Sequence, residues 1–332
     1  MKPSLNGIFE AFNGKNILVI GDVMLDEYIE GKVNRLSPEA PVPIVDITSR
    51  YTRMGGAANV ALNIKALGGN PILCSVIGYD EKSDSLVHLL EERQMSVQGI
   101  VRSKHRCATV KYRVLGNNTQ LLRLDEEMKS PLTDEDHALL VRQMEAMMDS
   151  GIVDGIVFED YDKGIISPPL IDKVMESAVR KHIPVSVDPK KNNFLSYHHA
   201  DVFKPNWKEM KEGLNLIADK PDEASLDKIR QLMREKHFSM VVLTLSEDGV
   251  LLLYHRNNDI EDIHIPTRVR QVADVSGAGD TMIAVASLAL IAGVAPEEMV
   301  QLANLAGGMV CEQVGVVPID KQLFFEEAVK SW

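Results

Sequence analysis

The chain has 332 residues, 45% of them hydrophobic and 25% charged, with a formal net charge of -12. That balance belongs to a soluble globular protein long enough to bury a sizeable core, and length favours one large domain with insertions over two full domains. The acidic surplus repels the phosphate backbone of nucleic acid, which argues against nucleic acid as a partner and requires a local positive site for any phosphorylated ligand.

Residues 1–16 lack the apolar core of a signal peptide and the Arg-rich face of a transit peptide. The apolar stretch Met282–Ala295 is shorter than the 18 or so residues that cross a bilayer, so it reads as a buried helix. No membrane association and a cytoplasmic location are expected. Cys74, Cys107 and Cys311 are far apart and without CxxC spacing, so they are expected as small buried hydrophobes. The adjacent His198 and His199 find no HExxH pattern or second ligand cluster to suggest a transition-metal site.

Taken in chain order, a first Val/Ile-rich run at 16–21 reads as a buried strand. Residues 24–54 break the pattern, with Pro38, Pro41 and Pro43 around short alternating segments. A glycine pair at 55–56 then opens an Ala-rich helix, and a second strand follows at 71–78. Residues 107–125 alternate again around a turn signal at Gly116-Asn117. Further strands are predicted at 154–159, 183–188, 200–205 and 240–245, separated by helical periods at 134–148, 168–182 and 223–237. A last helix falls at about 320–330. Continuous apolar strands alternating with amphipathic helices predict an α/β fold with a mostly parallel sheet covered on both faces. The two alternating stretches carry too few apolar residues for a core of their own, so they read as antiparallel strands of a small lid built from two insertions.

Ligands of an open α/β sheet bind beyond the carboxyl ends of its strands. Polar residues recur there: Gly21-Asp22, Glu159-Asp160, Asp188-Pro189-Lys190, Lys204-Pro205-Asn206 and Ser246-Glu247-Asp248-Gly249. Each alone reads more readily as a solvated turn; five along one edge point to a site.

The most specific segment is ADVSGAGDTMIAVASLAL, residues 273–290. Gly277, Ala278 and Gly279 lead into an apolar helix, where backbone N–H groups and the helix dipole attract an anion. Asp280 falls in the first turn, placed to accept a proton from an attacking hydroxyl. A tight turn with a capping Asp explains the same residues without chemistry. No GxxxxGK[ST] occurs, so a Walker-type cradle is absent from the sequence. In RMGGAANVALNIKALGG, residues 53–69, Gly55 and Gly56 let a polyhydroxylated ligand approach the backbone, and a buried Asn59 among alanines needs a partner.

These two motifs, GGAAN near the start and DVSGAGD near the end, resemble the ribokinase-type (PfkB) family of sugar kinases over nearly the whole chain. The resemblance implies a Rossmann-like domain spanning residues 1–332, a β-sheet lid over the sugar (about 24–54 and 107–125) and a homodimer formed through that lid. It implies ATP and Mg²⁺, with Asp280 as base, Gly277, Ala278 and Gly279 as anion hole, and Asp26, Gly55, Gly56 and Asn59 on the sugar. Asn206 and Glu209 match its NxxE motif, with Glu209 reaching magnesium through water. The same spacing is also close to a capping box, and both roles can coexist. Thr244, Ser246, Gly249, Asp274, Asn304 and Gly307, with Asn206, would hold the nucleotide.

GDVMLDEYIEGKVNRLSPEAPVPIV (21–45), YDKG (161–164) and VDPKKNNF (187–194) resemble more narrowly the heptose 7-phosphate kinases of the ADP-heptose pathway. Those enzymes phosphorylate the anomeric hydroxyl of D-glycero-β-D-manno-heptose 7-phosphate. Such a phosphosugar needs positive charge away from the nucleotide, for which Arg35, Lys163, Lys190, Arg113 and Arg123 are candidates, with Asp160 among the substrate contacts. No HxGH motif of a fused nucleotidyltransferase is present, so a kinase acting beside a separate partner enzyme is expected. The alternatives are a ribokinase- or fructokinase-like enzyme for an unphosphorylated sugar and a non-catalytic sugar- or nucleotide-binding regulator. A nicotinamide-dependent oxidoreductase lacks its GxGxxG after the first strand.

Overall fold

The computed structural model describes residues 4–117, 119–257, 259–268 and 272–330. The first half of the chain forms α1 (Leu5–Ala11), β1 (Asn16–Gly21), β2 (Val23–Leu36), β3 (Pro43–Gly56), α2 (Ala57–Ala66), β4 (Asn70–Ile77), α3 (Glu81–Glu92), β5 (Ile100–Arg102), β6 (Thr109–Gly116), β7 (Thr119–Glu126) and α4 (Asp134–Asp149). The second forms β8 (Gly155–Glu159), α5 (Pro168–Lys181), β9 (Val185–Asp188), β10 (Val202–Phe203), α6 (Trp207–Leu214), α7 (Glu223–Lys236), β11 (Met240–Thr244), β12 (Val250–Arg256), β13 (Asp259–Ile265), α8 (Ala278–Ile291), α9 (Pro296–Val310) and α10 (Lys321–Val329).

The strands are continuously apolar because both faces of the sheet are covered. Ile17 and Val19 of β1 enter one core, while Leu18 and Ile20 enter the other. In β11, Met240 and Val242 alternate with Val241 and Leu243 in the same way. Residues of α2, α8 and α9 fill the first core and residues of α4, α5 and α7 the second. Each buried Leu, Ile or Val side chain contributes about 1.5–3 kcal/mol. Local signals agree: Thr133 caps α4 by accepting from the Asp136 N–H, Asp222 caps α7 through Ser225, and Pro168 starts α5.

The main sheet has the order β13-β12-β11-β10-β9-β8-β1-β4-β5. Strands β5, β4, β1, β8, β9, β10 and β11 run parallel. Their carboxyl ends therefore share one edge, as the polar residues there implied. Strands β12 and β13 close the sheet as an antiparallel pair that the sequence reading left out.

The second sheet has the order β3-β2-β6-β7 and draws on the two alternating stretches. It differs from expectation in two respects. β2 and β3 are continuous 14-residue strands, and β2 pairs with β6 in parallel, not antiparallel. The parallel pairing arises because β6 returns after β4, α3 and β5 instead of through a hairpin. One face carries Asp26, Tyr28, Lys111, Arg113 and Arg123 in register, with Arg53 and Tyr51 beside them on β3. Leu122 and Leu124 alternate with Arg123 onto the opposite face and are about half exposed.

The three cysteines are free; Cys74 is buried, whereas Cys107 and Cys311 are half-buried, short of the full burial expected. Among the described residues, no helix is long and apolar enough to cross a membrane.

Candidate active site

Helix α8 begins where the apolar run follows the glycine turn. Gly277 precedes it at φ +81°, a left-handed conformation that a side chain disfavours. Every residue from Asp280 to Ala289 is buried, so the helix runs through the interior and points its first turn at the strand ends. The Ala278 N–H donates to Val275 O at 3.3 Å. The N–H groups of Gly279 and Asp280 lie in the first turn, where an α-helix supplies no acceptor of its own.

Asp280 is 3% exposed. Its Oδ2 accepts from Asn59 Nδ2 at 2.8 Å and its Oδ1 from the Tyr161 hydroxyl at 2.9 Å. Burial raises its carboxyl above the ordinary range, the two hydrogen bonds oppose that rise, and nearby Asp188 adds to it. Asn59 is fixed from behind: Asn63 Nδ2 donates to its backbone and side-chain oxygens at 2.9 and 3.2 Å. Asn63 Oδ1 in turn accepts from the Thr281 hydroxyl and the Ile319 N–H. The partner that a buried Asn59 required is thus the carboxylate of Asp280.

Gly55 and Gly56 end β3 just before α2. A Cβ on Gly55 would lie 2.4 Å from Asp26 Oδ2, and one on Gly56 would lie 2.4 Å from Asp22 O at a φ of +59°. Asp26 is buried against Arg113, which donates to its Oδ1. On β7, Arg123 pairs with Asp125 two residues along the same strand, with Nε and Nη2 at 2.7 and 2.6 Å. Sequence reasoning missed Lys111, which projects between these groups and places its ammonium 5.1 Å from the Tyr161 ring centre.

Beyond Asp280 opens a cavity of about 720 Å³, bordered by Tyr161, Asp188, Lys190, Lys204, Asn206 and Glu209. Lys204, at the end of β10, is buried and pairs with Asp188 at 2.6 Å. Its Nζ lies 3.4 Å from the place a Gly279 Cβ would take, so a positive charge flanks the helix start. Burial would raise the Asp188 carboxyl, but the ammonium groups of Lys190 and Lys204 outweigh it and hold it low. Lys190 bridges Asp188 at 3.4 Å and Glu209 at 2.5 Å. Glu159 ends β8 fully buried with neither carboxyl oxygen hydrogen-bonded, and burial, then Asp188 and Asp280, push its carboxyl well up.

Asn206 and Glu209 do form a capping box: Asn206 Oδ1 accepts from the Glu209 N–H at 2.9 Å, and Glu209 Oε2 from the Asn206 N–H at 2.8 Å. With Oε1 on Lys190, both oxygens of Glu209 are engaged. Among the described residues, no three His, Cys, Asp or Glu side chains gather to hold a metal ion. The donor set, carboxylates beside a cavity with lysines, fits a magnesium carried on nucleotide phosphates and reached through water, since Mg²⁺ keeps much of its water shell.

A second chamber, about 590 Å³, shares Thr244, Ser246, Val275 and Gly279 with the first and continues to Gly249, Met282, Asn304 and Gly307. Asn304 accepts from the Thr267 hydroxyl at 3.1 Å and donates to Pro266 O at 3.1 Å. Asp274 orders the glycine loop by accepting from the N–H groups of Ser276 and Gly315, both at 2.9 Å. The chamber is large enough for a planar, largely apolar ligand portion.

The remaining predicted residues stand apart from this cluster. Asp160 is a buried knot: it accepts from Asn193 Nδ2, the Tyr197 hydroxyl and the Asp162 N–H, and burial raises it to about 7. Lys163 pairs with Glu127 at 2.5 Å and borders neither chamber. Arg35 is exposed near the distal end of β2. Tyr161, Asp188, Lys204 and Lys111 were not singled out from the sequence as site residues, although Asp188 and Lys204 stood at the predicted strand ends.

A model of the pfkB family carbohydrate kinases matches residues 15–322. The chain is 38% identical over 314 residues to the bifunctional protein HldE of Geobacter sulfurreducens, covering 95% of this chain and 63% of that protein. It is 35% identical over 302 residues to the protein of the same name from Helicobacter pylori strain HPAG1, covering 91% and 64%. This chain therefore spans somewhat less than two thirds of the length of these relatives. Its fold is similar to phosphofructokinase-2 from Escherichia coli in complex with potassium, with a TM-score of 0.75, 20% identity and coverage of 96% and 99%. It is also similar to Arabidopsis thaliana ribokinase complexed with ribose and ATP, with a TM-score of 0.68, 17% identity and coverage of 95% and 99%. With its glycine-led helix, its Asn59–Asp280 pair and a family match over most of its length, this chain belongs to the pfkB family of carbohydrate kinases.

Proposed function

We propose that the protein transfers the terminal phosphoryl group of ATP to the anomeric hydroxyl of D-glycero-β-D-manno-heptose 7-phosphate, giving the 1,7-bisphosphate. The observation that carries the chemistry is the buried Asp280 carboxylate, held by Asn59 and Tyr161 at the open first turn of α8. Asp280 takes the hydroxyl proton as the oxygen attacks, and the first-turn amides with Lys204 counter the charge on the transferring group. Adenine and ribose occupy the chamber between Thr244 and Gly307. Magnesium, held by the nucleotide phosphates and by Glu209 through water, would supply further charge neutralisation.

The heptose reading rests on the likeness to HldE proteins and on the cationic inner face of the lid, where Lys111, Arg113 and Arg123 share one side. A sugar that already bears a phosphate needs such charge, and an unphosphorylated one does not. The exposed Leu122 and Leu124 on the opposite lid face support a homodimer formed through the lid, and closure of the lid would keep water from the phosphoryl group.

The test is an ADP-release assay with ATP, Mg²⁺ and a panel of heptose 7-phosphate, ribose, fructose and nucleosides. Selective turnover of the heptose phosphate is expected. Preference for ribose or fructose would replace the proposed substrate, and binding without ADP release from any acceptor would indicate a regulator.

A further inference from the structure

Tyr161 owes its place to the loop that follows β8. Asp22, buried at the end of β1, accepts from the N–H groups of Tyr161 at 2.8 Å, Lys163 at 3.1 Å and Ile165 at 3.2 Å. One carboxylate thus shapes the loop and turns the Tyr161 side chain toward α8. The phenol meets Asp280 Oδ1 at 2.9 Å. The ring carries two ammonium groups, Lys111 from lid strand β6 and Lys190 from the loop after β9, each 5.1 Å from its centre. Such contacts hold a ring in place when desolvated.

We infer that Tyr161 is a positioning residue for Asp280: with Asn59 on Oδ2 and Tyr161 on Oδ1, the carboxylate is locked in one rotation and kept available as a charged acceptor. A carboxylate with a single donor can rotate about its last bond, whereas one held at both oxygens presents its remaining lone pairs in a fixed direction. Hydrogen bonds to the charged form also oppose the neutralising effect of burial. The other charged groups around Asp280 are Asp188, Glu159, Lys190 and Lys204; the two carboxyls add like charge and the two ammonium groups are paired with Asp188 or Glu209, so the phenol and Asn59 carry that task. Because Lys111 belongs to the lid, the same ring joins the lid to the carboxylate.

This inference rests on Asp280 being the base, and Tyr161→Phe tests it, because only the hydroxyl is removed and the ring keeps both cation contacts. Thermal unfolding confirms that the variant is folded. Two measurements are made on wild type, Tyr161→Phe and Asp280→Asn. The first is the pH dependence of kcat and kcat/KM with ATP and heptose 7-phosphate. The second is a titration of [13C]aspartate-labelled protein, with the Asp280 carboxyl assigned by its loss in Asp280→Asn, which needs no acceptor. The expected result for Tyr161→Phe is a fall in kcat of about 10-fold, KM values within about threefold, and an acid limb and an Asp280 titration both moved to higher pH. An unmoved titration overturns the inference, as does an unmoved acid limb with a raised acceptor KM, which would make Tyr161 a substrate contact instead. Full turnover by Asp280→Asn would instead remove the base assignment itself.

Discussion

Asn59 and Asp280, 221 residues apart in the chain, meet through a 2.8 Å hydrogen bond at the start of α8. The contact joins the N-terminal glycine motif to the C-terminal one and, on the roles proposed for them, couples a sugar contact to the base.

Asn59→Asp exchanges the donor for a second carboxyl of the same shape. Two carboxyls at this separation cannot both be charged, so they share a proton and Asp280 is no longer free as a base near neutrality. Turnover at pH 7 is expected to fall by at least about 10²-fold and to recover in part at higher pH. A pH–rate series on the variant measures both effects.

Gly277→Ala places a Cβ 2.9 Å from Asn59 Nδ2 and forces alanine to a φ near +81°. The backbone strain costs roughly 1–2 kcal/mol in stability. Displacement of Asn59 is expected to lower turnover by about 10-fold or more. Denaturant unfolding and steady-state kinetics on the same preparation separate the two effects.

The buried carboxyls of Asp22, Glu159 and Asp160 are all raised in the folded state, foremost by burial, with Asp160 brought to about 7. A carboxyl raised on folding holds its proton longer in the native than in the unfolded chain. Its stabilising contribution is complete below the unfolded value near ~4 and is lost as pH rises through the folded one. Thermal stability is therefore expected to decrease from about pH 5.5 to about pH 8, and Asp160→Asn is expected to flatten part of that slope. Calorimetry across this range provides the comparison.

Much of this was legible in the sequence because two-sided burial leaves an unmistakable trace. Runs such as 16–21, 154–159 and 240–245 coincide with β1, β8 and β11, and the polar residues after them gather on one edge. That Asn59 needs a partner was legible because a buried amide among alanines cannot stay unpaired; that the partner is Asp280 emerges only from the fold. β12 is as continuously apolar, but it follows β11 across a short turn with no α-helix between, so it falls outside the strand–helix alternation by which the other runs were read. The parallel β2–β6 pairing depends on which elements intervene between two strands, and no local pattern records that. Tyr161 was hidden for a similar reason: its hydroxyl acquires meaning only when Asp22, remote in sequence, folds the loop toward α8. Arg35 shows the converse, a basic residue whose sequence neighbourhood suggested a site but whose strand carries it to the exposed end of the second sheet.

The most direct measurement of the central claim is the turnover of Asp280→Asn, with ATP and acceptor affinities determined on the same protein. The amide preserves size and the contact region around Asn59 and Tyr161 while removing the proton acceptor. A loss of at least about 10²-fold in kcat with nearly unchanged binding is predicted. Turnover within a few-fold of wild type would contradict it.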